Sequence, residues 1–302
     1  MVQILTRAGC FVAIIALGYI LRQKGFFREQ DFGILSKILL KITLPAAIVS
    51  NFVGRKLDKS MLFVSLLGFG ASVLYVTLAY LMNRRAQKEQ QMEEVVSMGG
   101  YNIGAFTMPF AQGFLGATGV ITTSLFDIGN ACVCLGGSYG FAKCMKEGGK
   151  ISLKTIGKAL IKSVAFDCYL IMAIVALFQI PLPQMVVSFA EIVGNANPFV
   201  AMLMIGVGFK IAGDKKQIGR MVRILSVRYG VALLLALGCY YILPFPLEVR
   251  QAIMIVLFSP FPSSAPAYTG ELKCDVGFAS ALNSVSIVCS LICIVTILTV
   301  TL

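Results

Sequence analysis

The sequence of 302 residues contains no histidine, and only 13% of its residues are charged against 58% that are apolar. Without imidazole, histidine general-base catalysis and histidine-ligated metal sites are excluded. A serine nucleophile inside a membrane normally needs such a base. An aspartyl dyad of Asp127 and Asp167 would need two carboxylates in close contact, and nothing in the sequence points to that. The shortage of charge excludes an ordinary soluble domain, in which about a quarter of residues are charged. The nine cysteines, at 10, 132, 134, 144, 168, 239, 274, 289 and 293, form no CxxC pair and lie mostly in apolar stretches. They read as small buried hydrophobes. No loop is long enough for a soluble output domain, which argues against a sensor or receptor.

Acidic residues are scarce too: 14 Asp and Glu stand against 26 Lys and Arg, for a formal net charge of +12. In a membrane chain basic residues gather in cytoplasmic loops, so topology explains the excess and no nucleic-acid partner is expected. Mean hydropathy is +0.85. At roughly 20 apolar residues per crossing, about ten spans would use about 200 residues. Apolar runs fall at 4–21, 34–53, 61–82, 95–115 and 119–142, then at 156–180, 185–211, 221–243, 252–272 and 277–302. Residues 1–21 read as the first span rather than a signal peptide, because no small-residue cleavage site leads into a soluble domain.

Loop charge orients these spans. Arg22, Lys24, Arg28 and Lys37 follow span one, and Arg84, Arg85 and Lys88 follow span three. Lysines 143, 146, 150, 154 and 158 follow span five, and Lys215, Lys216 and Arg220 follow span seven, with Lys210, Arg223 and Arg228 nearby. The alternate loops are nearly bare, apart from Arg55, Lys56 and Lys59. The expectation is a multi-pass cell-membrane protein with its basic side cytoplasmic and both termini outside. Lys146, Lys150, Lys154, Lys158 and Lys162 recur every four residues, forming one stripe of a helix that reads as a face snorkelling toward anionic lipid or, alternatively, as a site for a cytosolic anion.

The chain also repeats itself. Pro45 and Pro198 lie 153 residues apart, Pro109 and Pro266 lie 157 apart, and Gly119 and Gly277 lie 158 apart. Each half, 1–145 and 146–302, then holds five spans, and an odd number inverts the second half relative to the first. Inverted repeats with interrupted helices in matching positions point to a secondary transporter with a midplane site. In span four Gly99, Gly100 and Gly104 surround the break at Pro109. In span nine Pro260, Pro262 and Pro266 stand among Ser259, Ser263 and Ser264. Backbone groups freed at membrane depth survive only where protein or a water-filled cavity satisfies them. Half-helix N-termini there would seat a carboxylate.

Charged residues inside a span cost at least about 2.5–3.5 kcal/mol each at a helix centre, so each calls for a reason. Asp127 lies about 12 Å into span five at 1.5 Å per residue, with Asn130 one turn on. A carboxylate there suits a proton or Na⁺. Asn283 in span ten is its approximate repeat partner. Asn197, with Asn195, flanks the Pro198 break, where an amide can hold substrate or cap the helix. Asp167 and Lys41 are expected either to pair with each other or to line a cytoplasmic vestibule, and Glu191, Glu271 and Asp275 to lie at the rims.

These motifs resemble the auxin efflux carrier family. The resemblance runs over nearly the whole chain, through Leu44-Pro45, Asn102-Ile103-Gly104 to Pro109, Phe126 to Asn130, Asn197-Pro198, residues 260–266 and 279–290. Thr107 stands where bacterial members often have glycine, and the second break has more prolines than is typical, so either Pro262 or Pro266 is the counterpart of Pro109. The resemblance implies an all-α membrane protein of ten helices in two inverted repeats, with helices four and nine crossing at their breaks. Helices one, two, six and seven form a scaffold for a moving domain, often within a homodimer. It implies elevator-type alternating access for a small organic anion, malate- or malonate-like in bacteria and auxin in plants. The substrate-site candidates are Asn102, Gly104, Pro109, Asn130, Asn197, Ser263, Ser264 and Pro266, with Asp127 and Asn283 for ion coupling. No cofactor is implied beyond a coupling Na⁺ or H⁺. A sodium-coupled bile-acid-type symporter is the nearest alternative, and an anion channel a more distant one.

Overall fold

The computed structural model describes residues 2–28, 30–148, 152–209 and 217–302, and all regular structure among them is helical. Lys150, Lys210, Lys215 and Lys216, and the end of the seventh apolar run, lie outside the described residues. The first helices are α1 (Val2–Gln23), α2 (Asp31–Ile38) and α3 (Leu44–Phe52), the last two joined by a π-helical turn at Leu39–Thr43. That wide turn ends just before Pro45, whose ring cannot accept a regular turn behind it. Helix α4 (Phe63–Met82) follows a 3₁₀ turn at Lys59–Leu62.

The next segment is built from short pieces. Helix α5 (Lys88–Met98) stops at Gly99, and a second π turn (Ile103–Thr107) leads to the short α6 (Met108–Phe110) and a third (Ala111–Leu115). Gly116, at φ +59°, then starts α7 (Gly116–Cys132), which continues through a π turn at Val133–Gly137 into α8 (Ser138–Glu147). The apolar run Ile103–Glu147 is 45 residues long, about 68 Å if straight at 1.5 Å per residue, twice what a bilayer core of about 30 Å needs. It is folded back on itself: Asn130 hydrogen-bonds both backbone groups of Tyr101, so the chain reverses at Gly116.

Beyond lie α9 (Leu153–Ile161), α10 (Val164–Phe178), α11 (Gln184–Asn195) and α12 (Asn197–Gly208). The chain ends with α13 (Ile218–Ile242), α14 (Leu247–Leu257), α15 (Ala265–Glu271) and α16 (Val276–Thr301). Ser152, Ser163 and Asp275 cap α9, α10 and α16 by accepting backbone N–H bonds. Gln217 and the N–H of Phe278 both donate to Asp275 and hold its carboxyl below the usual range.

Among the described residues seven helices are long and apolar enough to cross a membrane, or eight if α9 and α10, bent by 81°, count as one span. Helices α5 and α14 have 11 residues each, about 16 Å at 1.5 Å per residue, half a bilayer core. Each is a half-helix. The interruptions expected around Pro109 and Pro260–Pro266 are present, since the runs 95–115 and 252–272 each divide into short pieces, whereas the run 156–180, expected as one span, is a bent pair.

Three other expectations are corrected. The lysine stripe is not one helix, because α8 ends at Gly148 (φ +74°) and α9 starts afresh at Leu153. Lys146 instead caps the carbonyl of Leu272 at 2.6 Å. Ion pairs among the described residues join Lys143 to Glu147, Arg220 to Glu93 and Glu94, and Arg223 to Glu94, but not Lys41 to Asp167. Asp167 sits in the first turn of α10, where the helix dipole already favours a carboxylate. The cysteines are free thiols, but Cys10 is exposed and the others are only half-buried.

Two bodies emerge from the close contacts. In one, α1 meets α12 where Gly18 and Gly206 let the backbones touch, and Gly194 of α11 abuts Ala46 and Ala47 of α3. In the other, α4 meets α7: a Cβ on Gly68 would strike the carbonyl of Phe126, and one on Gly129 the carbonyl of Ser65. Small residues do this work in membranes because backbone approach, not apolar burial, drives association there. Gly129→Leu is therefore expected to cost at least about 1–3 kcal/mol of stability through overpacking. Gly230→Leu, with nothing within 4 Å of its Cβ position, serves as the silent control. Thermal unfolding in detergent checks this; equal midpoints for the two variants would refute the close α4–α7 contact.

Candidate functional site

The chain between α5 and Ile103 runs extended, with Gly100 at φ +126°. A side chain there would be strained and would also press on Asn130 Oδ1 and Cys134 Cβ, both 2.9 Å from a Cβ. The corresponding irregular stretch after α14 spans residues 258–264. These two breaks meet: the N–H of Asn102 donates to the carbonyl of Pro260 at 3.0 Å, and the hydroxyls of Thr107 and Ser259 lie 2.5 Å apart.

Arg228 of α13 holds the meeting point together. It is 1% exposed, and no carboxylate pairs with it among the described residues. Its Nη2 donates to the carbonyls of Gly100 (3.0 Å) and Ser259 (3.2 Å), and its Nη1 to that of Met98 (3.4 Å). The guanidinium lies over the rings of Tyr75 and Tyr101, 4.1 and 4.2 Å from their centroids. Tyr75 donates its hydroxyl to the carbonyl of Arg228 itself. One side chain thus meets the negative, C-terminal ends of both half-helices, where a cation is favoured, and the aromatic faces replace water around it.

Polar side chains of α7 and α16 satisfy the remaining backbone. Asn130, 1% exposed, accepts the N–H of Tyr101 at 2.9 Å, donates to its carbonyl at 3.1 Å and donates to Asp127 Oδ1 at 2.8 Å. Ser286 accepts the N–H of Phe261 at 3.2 Å. Tyr169 of α10 donates to the other oxygen of Asp127 at 3.0 Å. No basic side chain among the described residues pairs with that carboxylate.

Two cavities flank the crossing. The larger, about 390 Å³, is lined by Asn102 to Ala105, Asp127, Asn130, Tyr169, Ser263 and Ser264, with Lys41 and Lys162 also on its wall. The smaller, about 290 Å³, is lined among others by Arg22, Asn102, Ser263, Pro266 and Asn283. A Cβ on Gly104 would press on Leu44 Cδ2 at 2.8 Å, while meeting the Tyr169 hydroxyl and Asp127 Oδ2 only at ordinary contact distance, 3.6 and 3.8 Å. Of the residues singled out in the sequence, Asn102, Gly104, Asp127, Asn130, Ser263 and Ser264 converge on the first cavity. Pro266 and Asn283 fall on the second.

Pro109 and Asn197 line neither cavity. Pro109 is buried at the start of α6, and Pro266 holds the same place in α15, which makes it, rather than Pro262, the positional counterpart. Asn197 accepts from Thr43 at 3.2 Å and donates to Gln112 at 3.3 Å, knitting α12 to the π turns that precede α3 and follow α6. Sequence reasoning missed Arg228, Tyr169 and Tyr101. Arg228 sits well inside the run 221–243, the same signal that singled out Asp127, but near loop cations it read as one of them. Also missed was the buried cluster of Glu94 with Arg220 (2.6 Å), Arg223 (3.0 Å) and Asn83, which fastens α5 to α13.

Arg228→Met would leave the Gly100 and Ser259 carbonyls buried without their donor, at about 1–3 kcal/mol each. The expected order of thermal midpoints in detergent is wild type, then Arg228→Lys, then Arg228→Met. An Arg228→Met protein as stable as wild type would mean that the breaks do not depend on this side chain.

The profile of a family described as membrane transport protein matches residues 10–167. A protein of Methanothermobacter thermautotrophicus named as an uncharacterized transporter is 22% identical over 291 residues, covering 93% of each chain. The matched stretch takes in the whole first break, its glycines and prolines, and the Asp127–Asn130 pair. The chain belongs to the auxin efflux carrier family of membrane transport proteins.

Proposed function

We propose that the protein is a secondary carrier that moves a small organic anion across the cell membrane by alternating access. The observation that carries this reading is the meeting of two broken helices, α5/α6 and α14/α15, beside a polar cavity. In this reading the chain crosses the membrane ten times, as repeats 1–145 and 146–302 of opposite orientation. Crossings four and nine are the broken ones. The N–H groups of residues 103–105, freed at the start of a half-helix, together with Asn102, Ser263 and Ser264, give the cavity the polar, electropositive lining that an anionic substrate needs.

The movement divides the molecule between the two bodies. Helices α1, α2–α3, α10 and α11–α12 form the scaffold, and the remainder carries the site. Few polar contacts join them: Tyr169 to Asp127, Gln112 to the carbonyl of Gly194 at 3.0 Å, Asn197 to Gln112, and Arg7 to the carbonyl of Gly113. Arg7, Gln112 and Gly113 stand away from the basic loops, whereas Lys41, Lys162 and Arg22 on the cavity walls adjoin them. The arrangement fits a state open toward the basic, cytoplasmic side, with both termini outside.

Coupling falls to Asp127. It is half-buried and, among the described residues, has no basic partner and is held by Tyr169 and Asn130, so a proton or Na⁺ at this carboxylate relieves an uncompensated charge. Uptake of labelled carboxylates into proteoliposomes under imposed Na⁺ or proton gradients tests the reading. Saturable uptake driven by one gradient is expected. Asn102→Ala and Asp127→Asn should each reduce it at least about tenfold, equivalent to about 1.4 kcal/mol, with the protein still folded. Normal transport by both variants would place the site elsewhere, and unsaturable flux insensitive to either gradient would indicate a channel.

A further inference from the structure

The smaller cavity holds chemistry that the crossover does not explain. Arg22, at the end of α1, donates through Nη1 to the carbonyls of Val207 and Phe209, each at 3.0 Å, where α12 ends. Its Nε and Nη2 have no partner among the described residues. That edge of a guanidinium is the pair that grips a carboxylate with two parallel hydrogen bonds, and its charge is permanent. Across the same cavity stands Asn283, whose Oδ1 is buried without a hydrogen-bond partner. A buried acceptor in this condition is waiting for a donor, because it has lost water and gained nothing. Phe32, Met204 and Ile287 supply apolar walls between them. Asn102 and Ser263 line both cavities, so the two compartments adjoin at the crossing.

We propose that this cavity is the charge-reading compartment of the substrate site: Arg22 binds the carboxylate, and Asn283 selects ligands that carry a hydrogen-bond donor, such as a hydroxyl, close to it. The inference rests on the anion-carrier reading and adds the chemical feature that the anion must have. It also assigns the two ends of the site. The carboxylate goes to Arg22, away from the like charge of Asp127, and the rest of the ligand lies past Asn102 in the larger cavity.

Pairs of acids that differ only in one hydroxyl test this: lactate against propionate, and malate against succinate. Binding to the purified full-length protein in detergent is measured by calorimetry, and uptake of the same acids in proteoliposomes. Wild type is expected to favour the hydroxylated member of a pair by about tenfold, because an unmet acceptor penalises the ligand that lacks the donor. Asn283→Ala should erase the preference while binding of the unsubstituted acid is retained. Arg22→Gln should weaken both members at least tenfold, and Arg22→Lys, which keeps a cation and a donor at the end of α12, should weaken them less. Comparing thermal midpoints separates loss of binding from loss of fold, and Arg22→Lys carries the test if Arg22→Gln unfolds. A preference that survives in Asn283→Ala, or Arg22 variants that bind as wild type does, overturns the proposal and leaves the carrier reading intact. A wild-type protein that neither binds nor transports any acid of the panel overturns both.

Discussion

A helix that stops halfway through a membrane leaves carbonyls facing inward with no water to receive them, and Arg228 is the answer to that constraint here. Its guanidinium reaches carbonyls of both breaks, and Tyr75 and Tyr101 close over its faces. A carboxylate partner would have neutralised the charge but left the carbonyls unmet. By pairing instead with partial negative charges, the residue stabilises the crossing and leaves the centre of the protein with a positive bias. That bias is the sign an organic anion requires, so one interaction supports the architecture and suits the proposed cargo.

In the proposed carrier, the kinds of contact around the crossing differ within and between the two bodies. Within each body the joints are backbone to backbone: Gly18 with Gly206 in one, Gly68 and Gly129 in the other. Such contacts are short, numerous and intolerant of displacement. Between the bodies the polar links are single side-chain bonds from Tyr169, Gln112, Asn197 and Arg7, each exchangeable for water when a cavity opens. Arg228 and the Glu94–Arg220–Arg223 cluster both join α13 to the α5 segment, so the crossing and its ionic support form one unit.

Hydropathy and proline placement made the main features legible in the sequence, because both report on a helix along its axis: how long it is and where it fails. The break near Pro109, the glycines before it and the pairing of Asp127 with Asn130 at one-turn spacing were all readable. What hydropathy does not report is rotation about the axis. Lys41 and Asp167 looked like partners by depth, yet Asp167 sits at a helix N-terminus and Asp127 takes Tyr169 instead. Arg228 had the depth of a site residue, but only its azimuth, toward Gly100 and Ser259, reveals its role. Asn197 illustrates the converse: an amide beside a proline break that turns toward Thr43 and Gln112 rather than into a cavity. The periodic lysines failed for a third reason, since Gly148 ends the helix that the four-residue spacing presumed.

Charge placement gives the cavities a direction. Asp127 stands on the wall of one and Arg22 on the wall of the other, with Asn102 common to both. An anion entering this space is drawn toward Arg22 and repelled by Asp127 until a cation or proton neutralises that carboxylate. Neutralisation also weakens the acceptor that Tyr169 donates to, and Tyr169 belongs to the scaffold while Asp127 belongs to the body that carries the site. In the proposed carrier, neutralising Asp127 therefore does two things at one residue: it removes the repulsion that opposes an anion, and it loosens a bond between the proposed scaffold and the body that carries the site.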